Sequence, residues 1–101
     1  MEKDLMRIIN YYGIMEQLKY IHSEYYELDE AIFDYEIGNY HNSNYLKDHI
    51  AEEISDVMVM LKQFQHYYGI SDKQIEDIMK FKINRQLERI ELEGKEDKKW
   101  K

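Results

Sequence analysis

Apolar side chains recur every three or four residues along most of this chain, and no proline interrupts them. That period marks helices with one buried face and leaves little room for strands. Between about residues 3 and 37 the pattern runs Leu5, Ile8, Ile9, Tyr12, then Leu18, Ile21, Tyr25, Leu28 and Ile32. Gly13 falls inside it and predicts a break or kink. A second stretch, about 45 to 68, carries Leu46, Ile50, Ile54, Val57, Met58, Leu61, Phe64 and Tyr68 as its buried stripe. A third, about 72 to 92, carries Ile75, Ile78, Met79, Ile83, Leu87 and Ile90. The expected fold is all-α, an antiparallel helix bundle.

The punctuation agrees. Residues 38–44, Gly-Asn-Tyr-His-Asn-Ser-Asn, form the clearest loop, with Ser43 or Asn44 as the next helix cap. Gly69 suits a left-handed helix end. Ser71, followed by Gln74, reads as an N-cap with a capping box. The expected organisation is one domain over 1–92 and a charged tail over 93–101 that frays.

A chain of 101 residues buries only a modest core. Tyr11, Tyr12, Ile14 and Met15 around Gly13, with Met58, Met60 and Leu61, supply a second apolar face. A homo-oligomer is expected. The net charge of −7 argues against a nucleic-acid partner, which would be met with Lys and Arg. With no cysteine, thiolate zinc sites and disulfides are excluded. The histidines at 22, 41, 49 and 66 lack zinc-type spacing. No apolar run approaches a membrane span, and the first residues lack a signal peptide's character, so a cytoplasmic location with no membrane partner is expected.

Two acidic pairs stand out: Glu24 with Glu27, and Glu53 with Asp56. Each pair is spaced i, i+3 and shares one helix face. Glu53 and Asp56 flank the apolar positions Ile54 and Val57, which sets them at the edge of the buried face. If the two helices pack antiparallel through the 38–44 loop, four carboxylates converge. Their repulsion calls for protons or a hard cation such as Mg²⁺. Isolated acidic pairs are usually solvated, as expected for Glu16, Asp29, Glu30, Asp34, Glu36, Glu76 and Asp77.

The order of these residues resembles a known family. Gly13-x-x-x-Gln17-Leu18, Glu24-x-x-Glu27-Leu28-x-x-Ala31-Ile32 and Glu52-Glu53-Ile54-Ser55-Asp56-Val57 look like the MazG-like all-α nucleoside triphosphate pyrophosphohydrolases. The turn at Tyr68-Gly69-Ile70-Ser71 and the basic helix with Lys82, Arg85 and Arg89 add to the likeness, which spans roughly residues 13 to 90. One departure is Ser23, where the family usually writes an acid.

The resemblance implies a MazG-like bundle completed by oligomerisation, as a homodimer or homotetramer. It implies hydrolysis of a nucleoside triphosphate to the monophosphate and pyrophosphate. Glu24, Glu27, Glu53 and Asp56 would be the catalytic Mg²⁺ ligands, with Mn²⁺ as a substitute ion, and one of the first pair would take the water's proton. Lys82, Arg85 and Arg89 would meet phosphates, or else pair with surface acids; Lys62 is a weaker candidate. Gln17 and Tyr20 are the candidates for base binding. His49, one turn before Glu53, fits a structural or supporting role. A phosphoribosyl-ATP pyrophosphohydrolase ranks second, because 56–61 lacks the histidine associated with that group after the aspartate. A non-catalytic helical oligomerisation module is the remaining alternative.

Overall fold

A computed structural model describes residues 1–38 and 44–95. Among them are four α-helices and no strand: α1 Glu2–Tyr12, α2 Ile14–Ile37, α3 Asn44–Tyr67 and α4 Asp72–Lys95. The all-helical expectation holds. The chain divides into two compact units, Met1–Gly69 and Ile70–Lys101. No helix among the described residues is long and apolar enough to cross a membrane.

The breaks fall where the sequence places them. Gly13 has φ +89°, a region that disfavours a side chain, and its N–H donates to the Ile9 carbonyl at 2.8 Å. α1 therefore closes on the residue that opens α2. Gly69 ends α3 at φ +68°, and its N–H donates to the His66 carbonyl. Ser71 caps α4: its Oγ accepts from the Gln74 N–H at 3.1 Å. Asn44, one of the two expected caps, is the first residue of α3; Ser43, the other, and most of the 38–44 loop lie outside the described residues. So does the tail beyond 95, although the helix continues through 93–95, where fraying was expected.

In the first unit α2 packs along α3, and α1 lies against both. Its buried apolar residues are Leu5, Ile9, Ala31 and Met60. The rest of the interior is polar: Gln17, Glu24, Glu53, Gln63 and Gln65 are all buried.

Leu5 and Ile9 are buried as expected, but the inward faces of α2 and α3 are turned from the expected ones. The α2–α3 seam contains Gln17, Glu24 and Ala31 from one helix and Glu53, Met60 and Gln63 from the other. Leu18, Tyr25 and Ile32 of α2 are exposed, as are Ile54, Met58, Leu61 and Tyr68 of the second stripe. Ile21, Leu28, Leu46, Ile50, Val57 and Phe64 are half-buried. Periodicity reveals a helix face but not what covers it, and the first unit by itself leaves much of the apolar faces of α2 and α3 exposed. α4 differs in the same way. Ile78, Met79, Ile83, Leu87 and Ile90 are exposed, and only Ile75 is half-buried. A unit built on one helix has no second layer of its own to cover a stripe.

Candidate metal centre

Each carboxylate of the quartet is placed by helical spacing. Glu24 and Glu27 stand one turn apart on α2, and Glu53 and Asp56 one turn apart on α3. One carboxylate oxygen from each lies within 4.8 Å of the others. Glu24 and Glu53 are buried, whereas Glu27 and Asp56 are open to solvent. The structure thus brings together all four residues singled out in the sequence. Glu53 sits deeper than expected, since it is buried and its neighbour Ile54 is exposed.

The electrostatics follow from that placement. Burial, chiefly, pushes the Glu24 carboxyl above its ordinary value. A hydrogen bond from the Tyr20 hydroxyl opposes this, and the negative charges of Asp56 and Glu27 reinforce it. Glu53 is raised too, first by burial and then by Glu27 and Asp56, with His49 acting in the opposite direction. His49 Nδ1 stands 3.9 Å from Glu53 Oε1, which suits a supporting role beside the quartet. Glu24 Oε2 and Glu53 Oε2 are buried with no hydrogen-bond partner. Unsatisfied buried carboxylate oxygens are costly. Four carboxylates from two helices, two of which carry a buried unsatisfied oxygen, fit a hard divalent cation such as Mg²⁺.

Tyr20 lies one turn before Glu24, and the Glu24 carboxylate raises its phenol by accepting its hydrogen bond and by its charge. Beside it is a groove of about 330 Å³ lined by Ile8, Tyr12, Glu16, Gln17 and Tyr20. Gln17 lines this groove as well as the α2–α3 seam. It is buried, and its Nε2 donates to Gln63 Oε1 at 2.8 Å. Gln63 escaped the sequence reading. The signal was available: it follows Asp56 by seven residues, as Gln17 precedes Glu24 by seven.

Glu16, Asp29, Glu30, Asp34, Glu36, Glu76 and Asp77 are exposed, as expected of solvated acids. Lys62 is half-buried on α3. Lys82, Arg85 and Arg89 are exposed on α4, in the second unit, and the quartet is built wholly within the first. Acids of α4 pair with Lys73 at 2.8 Å and with Lys80 at 3.1 Å. Among the described residues Lys82, Arg85 and Arg89 form no such pair; the Arg85 guanidinium lies 6.0 Å from the Phe81 ring centre.

No family model, no curated protein and no solved structure matches the chain.

Proposed function

We propose that this chain is a Mg²⁺-dependent nucleoside triphosphate pyrophosphohydrolase of the MazG-like kind, releasing the monophosphate and pyrophosphate. The observation that carries the reading is the quartet, with two buried, unsatisfied oxygens among four carboxylates whose ligand atoms lie within 4.8 Å. A module that only assembled would gain nothing from burying this repulsion.

Glu24, Glu27, Glu53 and Asp56 would hold the ion. When bound, Mg²⁺ supplies charge neutralisation for the phosphate chain and polarises the attacking water. Glu24 or Glu27 accepts the water's proton. Tyr20 holds Glu24 in orientation through its hydroxyl. The groove beside it seats the base, offering the rings of Tyr12 and Tyr20. Lys82, Arg85 and Arg89, spaced to share one face of α4 and without an acid partner among the described residues, are the candidates for phosphate contact. The exposed apolar stripes of α2, α3 and α4 support a homodimer or homotetramer that covers them.

The test is pyrophosphate release from the eight common ribo- and deoxyribonucleoside triphosphates, with Mg²⁺ and with chelator. Metal-dependent release from at least one is expected. Release from phosphoribosyl-ATP alone would move the assignment to that neighbouring activity, and no release from any substrate would overturn it.

A further inference from the structure

The Gln17–Gln63 contact is a polar link that joins α2 to α3 outside the carboxylates. Its donor and acceptor stand 2.8 Å apart and are buried, Gln63 at 2 % exposure and Gln17 at 7 %. Met60 Sδ, also in the seam, lies 3.9 Å from Gln17 Nε2 and 3.7 Å from Gln63 Nε2. The seam is therefore closed on one side by an amide pair with a soft sulfur against it.

The bridge and the quartet share one antiparallel register. Gln17 is seven residues before Glu24, and Gln63 is seven after Asp56. Seven residues are two helical turns, so a bridge between Gln17 and Gln63 sets Glu24 opposite Asp56. Three residues further along, the same register sets Glu27 opposite Glu53. Accordingly Asp56 is the acid that acts most strongly on Glu24, and Glu27 the one that acts most strongly on Glu53. Sliding one helix past the other by a turn would displace the carboxylates by about 5.4 Å, more than the 4.8 Å that now encloses their ligand atoms. Nothing in the quartet itself resists such a slip, since like charges repel. A buried amide pair does, because a slip would leave both amides unpaired.

We propose that Gln17 and Gln63 are positioning residues: their buried amide bridge locks the register of α2 against α3 and so holds the four carboxylates together. The lock concerns register and stands without the metal reading; its consequence for ion binding rests on that reading.

The absence of cysteine permits a direct test in the full chain. Two cysteine pairs are compared for disulfide formation on mild oxidation, one in register (Glu27→Cys with Glu53→Cys) and one a turn out of register (Glu27→Cys with His49→Cys). Each is made in the native background and with Gln17→Met plus Gln63→Met, which removes both amides and keeps apolar volume. Native seams should favour the in-register pair strongly. The double methionine background should lose most of that preference. In the chain with its carboxylates intact, the same two substitutions should weaken Mn²⁺ binding by about tenfold or more, the range for groups that orient metal ligands.

Gln63→Asn keeps the polarity but shortens the reach. It should give a partial loss of preference, and it serves if the double variant does not fold. Preference unchanged in a folded variant overturns the lock. Preference lost with Mn²⁺ binding weakened supports both lock and ion site. Preference lost while even the native protein binds no Mn²⁺ supports the lock and overturns the metal reading.

Discussion

Glu24 and Glu53 come from different helices, yet each directs a carboxylate oxygen with no hydrogen-bond partner into the same buried seam. Without an ion, that arrangement weakens the fold it belongs to. Replacing either with its amide, Glu24→Gln or Glu53→Gln, should raise the melting temperature in chelator by about 2–5 °C. The same substitution should cut metal-dependent turnover by about 100-fold or more. Thermal scans in chelator beside pyrophosphate assays separate the two effects. Lower stability together with unimpaired turnover would refute both.

The pH dependence of the metal-free fold has a definite sign. Both carboxyls are raised in the folded state above their ordinary value of 4.5. The folded chain thus holds more protons than the unfolded one at these positions. These two groups favour folding most below pH 4.5 and contribute progressively less as pH rises through their folded values. Added Mg²⁺ competes with the protons, so its stabilisation should grow as pH rises across that window. Denaturant titrations at several pH values, with and without Mg²⁺, should show the two slopes opposed.

Tyr20 acts on the site through Glu24. Its hydroxyl hydrogen bond lowers the Glu24 carboxyl against the effect of burial. Tyr20→Phe should therefore raise Glu24 further and shift half-maximal ion binding to higher pH. Turnover near neutrality should fall by about fivefold to tenfold, the effect of one hydrogen bond to a ligand. A KM change with no pH shift would instead assign Tyr20 to the base alone.

Leu87 and Ile83 stand exposed at 54 % and 51 % in the middle of the α4 stripe. If a second copy covers that stripe, Leu87→Glu should convert the native assembly to monomer in sedimentation velocity. A native chain that is monomeric at high concentration would remove the oligomer from the proposal.

The fold was legible where local chemistry dictates it. Gly13, Gly69 and Ser71 each impose a backbone conformation or satisfy helix-end N–H groups, and all three mark helix ends as read. The quartet was legible because i, i+3 spacing fixes a helix face. What the sequence hid was which face turns inward. Ile54 and Leu61 look like core, yet Glu53, Met60 and Gln63 occupy the seam. A hydrophobic stripe reports that something must cover it and does not distinguish a neighbouring helix from another chain. Gln63 was hidden for a related reason: a glutamine on a helix is ordinarily solvated, and only its partner Gln17 makes it an interior residue.

The central claim is that the four carboxylates hold a divalent cation. Calorimetric titration of Mn²⁺ into the native chain and into Glu53→Gln tests it most directly. Saturable binding of at least one ion per chain, lost in the variant while the helical spectrum is kept, is the expected result. No saturable binding to the native chain, or equal affinity in both proteins, would contradict it.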